Sequence, residues 1–138
     1  HGGNDFKSLI RELQPRYPEI FIAQLNWFEV VPLDHYFEET GDHANEMETS
    51  VMMHIFPDLV LPLCEAGPGK AKKIKFAARN EGWVWFPRAW TKVTEDTGIG
   101  DPARASAEKG SRYLEAITDR IAAFFTAMAQ TRPDDIYE

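Results

Sequence analysis

The stretch DHANEMETS, residues 42–50, sets an imidazole, His43, just ahead of two carboxylates, Glu46 and Glu48. A histidine near a carboxylate can move protons close to neutral pH, and both donor types ligate divalent metals. The segment reads as a helix from about Ala44 to Phe56, stopped by Pro57. On a helical wheel Val51, Met52, Ile55 and Phe56 fall within about 80° of Glu48, whereas Glu46 is turned about 160° away. Glu48 is therefore expected on the core-facing stripe and Glu46 in solvent. A carboxylate on an apolar stripe must be ion-paired, protonated or metal-bound, because burying it alone is too costly. His43 stands where a long loop enters this helix, in reach of a substrate while still able to exchange protons. The plain alternatives are a polar helix start for His43 and a structural ion pair for Glu48. His54 lies at the edge of the stripe and reads as a packed or surface residue, and His35 has no partner that spacing can name.

Two further positions could carry chemistry. His1, followed by Gly2, Gly3 and Asn4, puts an imidazole at the mouth of a helix start whose backbone is open to a ligand or metal. Trp27 closes the apolar run IFIAQLNWF, residues 20–28, and is either an aromatic wall for a substrate or a core residue.

The elements that must position these residues follow from periodicity and breakers. Asn4 as N-cap, with Phe6, Leu9, Ile10 and Leu13 at helical spacing up to Pro15, predicts a short helix. The run at 20–28 lacks polar alternation and predicts a strand covered on both faces. Residues 30–43 read as a long loop, and short strands are expected at Ile74–Ala77 and Trp83–Phe86. Asp101 and Pro102 should open the longest helix, running to about Gln130 with Leu114, Ile117, Ile121, Phe124 and Met128 along one stripe. That order predicts an α/β layered fold, a mainly parallel sheet flanked by helices.

Composition narrows the function. The 138 residues hold 15 Lys plus Arg against 22 Asp plus Glu, a formal charge of −7. Such a surface repels nucleic acid and anionic membranes. A single cysteine, Cys64, excludes a disulfide framework and favours a reducing, cytoplasmic setting. The sequence opens on His1 inside a glycine turn, which reads as the interior of a longer chain.

Three ordered blocks, HGGN at 1–4, HANEMETS at 43–50 and TGIGDPARASAEKG at 97–110, resemble successive signatures of the creatininase family of amidohydrolase-like metalloenzymes. The resemblance covers most of this chain but only the carboxyl-terminal half of a typical member, so residues 1–138 would be the C-terminal portion of that family's domain. It implies a metal-dependent hydrolase of a C–N bond in a small cyclic or formyl amide, using two Zn²⁺ or Mn²⁺ ions. By the same resemblance His1 and Glu48 match metal ligands and His43 the general acid/base. The remaining ligands would lie on an upstream segment of the same protein, and the whole would form a homo-oligomer, a hexamer. Gly3 and Glu39 depart from the pattern, standing where creatininase proper has a glutamate ligand and a substrate-contacting tryptophan. That argues against creatinine itself as substrate. Gly98, Gly100, Asp101 and Glu108 read as turn and cap residues. The alternative is a non-catalytic subunit or fragment acting through oligomer interfaces.

Overall fold

The structure, a computed structural model, describes residues 3–39 and 41–137, so His1 lies outside the described residues. Five α-helices are seen among these: α1 (Lys7–Leu13), α2 (Glu46–Ile55), α3 (Ala77–Asn80), α4 (Trp90–Val93) and α5 (Ala107–Gln130), with short 3-10 turns between them. The chain divides into two compact units, one of His1–Leu33 with Glu115–Glu138 and one of Asp34–Leu114. No helix among the described residues is long and apolar enough to cross a membrane.

The expected α/β sheet is not there. Among the described residues no strand forms, and the sole β pairing is an isolated antiparallel bridge between His43 and Ile99. A strand exists only through a ladder that satisfies its backbone groups, and residues 20–28 satisfy theirs otherwise. The Gln14 side chain donates to the Ile20 carbonyl at 2.6 Å and accepts from the Ile22 N–H at 3.0 Å. Trp27–Glu29 then close into a 3-10 turn. Along the run Phe21, Ala23 and Leu25 are exposed and Ile22, Gln24 and Asn26 half-buried. The segments expected as strands at 74–77 and 83–86 flank α3 instead, and Trp83 and Trp85 are exposed.

Helix boundaries shift for local reasons. The first helix starts at Lys7, whose N–H bonds the Asp5 carboxylate at 2.8 Å, so Asp5 and not Asn4 supplies the polar turn. Asp101 accepts from the Ala103 N–H in a turn, while the Ser106 hydroxyl accepts from the Lys109 N–H at the actual start of α5. Along α5, Ile117 is buried and Phe124 exposed.

In the second unit α2 and the start of α5 pack closely. The Ser50 hydroxyl, fully buried, accepts the Ser106 N–H at 3.1 Å. A Cβ on Gly110 would overlap the Ser50 carbonyl oxygen and crowd the Val51 nitrogen, both backbone atoms that cannot rotate away. Tyr113, fully buried, packs edge-on against Phe37 at 5.2 Å and Tyr36 at 5.5 Å.

Gly110→Ala is expected to destabilise the protein by about 1–3 kcal/mol through overpacking, read by denaturant unfolding. Burial, and then the neighbouring Tyr36, push the Tyr113 phenol up to about 12 from its ordinary 10.0. The folded state thus keeps a proton that the unfolded chain loses first, so this contribution to stability is intact below pH 10.0 and drains away as pH rises through about 12. Comparing Tyr113→Phe with the parent across that range should show a shallower alkaline loss in the variant. Parallel curves would refute it.

Candidate active site

The N-terminal turn of α2 is built by reciprocal capping. Asn45, 2% exposed, accepts the Glu48 N–H on its side-chain oxygen at 3.0 Å. The Glu48 carboxylate in return accepts the Ala44 N–H at 2.6 Å. This is a capping box whose return bond lands one residue before the cap. Ala44 itself has φ 49°, a left-handed backbone uncommon for alanine. Just before it, His43 exchanges backbone hydrogen bonds with Ile99, 3.2 Å from its N–H and 2.8 Å to its carbonyl.

These constraints bring His43 Nδ1 to 3.9 Å from Glu48 Oε2, with about a third of each side chain exposed. Both residues line a cleft of about 490 Å³ within the second unit. Asp96 shares the lining. Its Oδ1 is held by the Thr94 hydroxyl and the Gly98 N–H, each at 3.0 Å. An arm from Leu59 to Leu63 supplies an apolar side, and glycine backbone supplies part of the wall. Gly69 has φ +59°, and a Cβ there would overlap the Gly100 carbonyl, so the close approach of these two turns requires glycine.

The two glutamates exchange the places expected of them. Glu46, predicted in solvent, is 0% exposed, whereas Glu48, predicted in the core, is 38% exposed at its side chain. One Glu46 oxygen accepts the N–H groups of Glu38 and Glu39 at 2.9 and 2.7 Å, and the other is paired with the Lys109 ammonium. Lys109 also bonds Glu38 and the Arg104 carbonyl, and Arg104 pairs with Glu38. The buried face of α2 is Glu46, Met47, Ser50 and Val51; of the apolar residues that set the wheel, Val51 is buried and Met52, Ile55 and Phe56 are exposed.

Trp27 belongs to the first unit, edge-on to Phe28 at 6.0 Å, and lines a separate cleft with Phe6 and Ile10. The tryptophan beside His43 is Trp90, its ring centroid 4.9 Å from the imidazole. Sequence reasoning missed Trp90, Asp96 and Lys109, because their relation to residues 42–50 is long-range and leaves no local period. An imidazole and a carboxylate converging on a cleft suit Zn²⁺ or Mn²⁺ as donors. No group of three potential His, Cys, Asp or Glu ligands gathers among the described residues, and Glu48 offers one carboxylate donor at the cleft.

Residues 1–125 match the family described as Creatininase: Creatinine amidohydrolase. The chain belongs to the creatininase family. It is also similar to a crystal structure from Bacteroides fragilis NCTC 9343, a protein provisionally named a creatinine amidohydrolase. The identity is 51% and the TM-score 0.89, over 100% of this chain and 53% of that one. This creatininase-family chain thus spans about half the length of the solved relative. No curated protein matches it.

Glu46→Gln should cost about 1–3 kcal/mol of unfolding free energy, since it removes the buried charge paired with Lys109 and leaves that ammonium only Glu38 and the Arg104 carbonyl. Glu48→Gln, at a half-exposed site, should cost about 1 kcal/mol or less. Chemical denaturation of both variants checks the order, and equal losses would refute the burial argument.

Proposed function

We propose that this chain is the C-terminal portion of a metal-dependent amidohydrolase that cleaves a C–N bond in a small cyclic or formyl amide. The observation that carries the reading is the convergence of His43 and Glu48, 3.9 Å apart, on one cleft in a creatininase-family chain. His43 is the general acid/base, taking a proton during attack and returning it to the leaving nitrogen. Glu48 and His1 hold metal, and the other ligands come from an upstream segment of the same protein. A pair of Zn²⁺ or Mn²⁺ ions supplies carbonyl polarisation and a water of lowered pKa. The apolar arm at Leu59–Leu63 takes the hydrocarbon part of the substrate and excludes water from it. Trp27 is an aromatic wall of its own cleft, beside Phe6 and Ile10. The working protein is a cytoplasmic homo-oligomer, a hexamer by family resemblance.

A second role for Glu48 is favoured by its approach to His43 Nδ1: a carboxylate there orients the imidazole. One experiment separates the roles. In the full-length protein loaded with Zn²⁺ or Mn²⁺ and assayed on creatinine and N-formyl amides, His43→Ala should lower kcat by about 10²- to 10⁴-fold with metal content unchanged. Glu48→Gln should empty the metal site if it is a ligand, or keep the metal and lose rate if it orients His43. Stoichiometric metal absent from the purified parent would favour a non-catalytic, interface-forming subunit.

A further inference from the structure

The proton-transfer reading leaves open what holds the His43 ring. Its backbone is fixed by Ile99, but an imidazole one-third exposed at the lip of a cleft is free to change rotamer unless something packs against it. Trp90 does so. It is the first residue of α4, its ring lies 4.9 Å from the imidazole at a tilt of 55°, and it is absent from the cleft lining. The indole is held in turn. The Arg88 guanidinium lies over it at 4.8 Å, and the same guanidinium pairs with the Asp42 carboxylate at 2.7 Å. Asp42 is the residue before His43, so the contacts close a ring: Asp42 to Arg88, Arg88 to Trp90, Trp90 to His43, and back through one peptide bond.

We infer that Trp90 is a positioning residue, which Arg88 and Asp42 keep in place and which holds the His43 imidazole toward Glu48 and the cleft. The inference rests on the general acid/base role proposed for His43. Physically, a rigid indole on one side removes rotamers that would swing the ring away from the cleft, and the cation over the indole anchors it at little entropic cost. Because Trp90 does not line the cleft, its removal should act on the chemical step and not on substrate affinity.

The test uses full-length, metal-loaded protein with ¹³C-labelled histidine, in the parent, Trp90→Leu and Trp90→Phe, with creatinine and an N-formyl amide as probes. Relaxation of the His43 ring carbon should report a rigid imidazole in the parent and in Trp90→Phe, and a mobile one in Trp90→Leu. In parallel, Trp90→Leu should lower kcat by about tenfold to 100-fold with KM unchanged, and Trp90→Phe should recover most of it. Arg88→Gln, which leaves the indole in place but unanchored, should loosen the ring in the same direction by less, and covers the case in which Trp90→Leu fails to fold. A His43 ring that stays rigid in Trp90→Leu, or a rise in KM with kcat unchanged, overturns the inference. The relaxation result decides it even if neither amide turns over. A ring that loosens as expected while His43→Ala keeps full kcat would instead overturn the catalytic role of His43 and leave the brace standing.

Discussion

The Glu46 carboxylate has no contact with water, and the second unit is organised around satisfying it. An ionised carboxylate taken into a protein interior is tolerable only with donors on its oxygens and an opposite charge beside it. Here three donors come from two separate places: the N–H groups of Glu38 and Glu39 on the loop ahead of α2, and the Lys109 ammonium at the start of α5. One side chain therefore fastens loop, α2 and α5 at a point one turn from His43 and Glu48. The neighbouring buried groups are polar as well. Asn45 caps α2 and Ser50 caps nothing but receives the Ser106 N–H, so this core is specified by directional bonds as much as by the apolar contacts of Phe37, Met47 and Tyr113.

That polar core is the reason the wheel assigned the glutamates the wrong way round. A hydrophobic stripe points inward only when the chain's own core lies opposite it. Met52, Ile55 and the C-cap Phe56 are exposed, and the inward face of α2 carries a glutamate and a serine beside Met47 and Val51. Nothing local marks Glu46 as buried, since its counter-charge lies 63 residues away. The same limit applies to the strand expected at 20–28. Apolar, β-favouring residues do not make a strand by themselves: the ladder depends on partners that composition does not name, and the Gln14 side chain takes up the Ile20 carbonyl and the Ile22 N–H instead.

The blocks that carried the family resemblance are also neighbours, a contact that spacing alone did not announce. The stretches at 43–50 and 97–110 meet in the structure through the His43–Ile99 bridge, the Ser50–Ser106 bond and the Gly110 approach to Ser50. The turn reading of the glycines was correct: Gly98 donates to Asp96 and Gly100 has φ +112°. Glycines carry their conformational reason in themselves. That is why they survive translation from sequence to structure better than a hydrophobic pattern whose meaning depends on what lies opposite.

The left-handed turn at Ala44 explains how one helix start serves both the fold and the cleft. His43 needs extended backbone to exchange two hydrogen bonds with Ile99, and Asn45, with ψ −174°, is extended as a cap must be. Only Ala44 stands between them to swing the chain from the bridge into α2, and its φ of 49° does this within a single residue. A gentler turn would need more residues and would carry Glu48 away from the imidazole. The strain of placing an L-residue there is about 1–2 kcal/mol, offset by the Glu48 carboxylate bonding the Ala44 N–H directly. Glycine at that position would remove the strain but also enlarge the unfolded chain's freedom. Alanine, held by the carboxylate it helps to aim, keeps the bridge, the cap and the 3.9 Å approach of His43 to Glu48 as one local conformation.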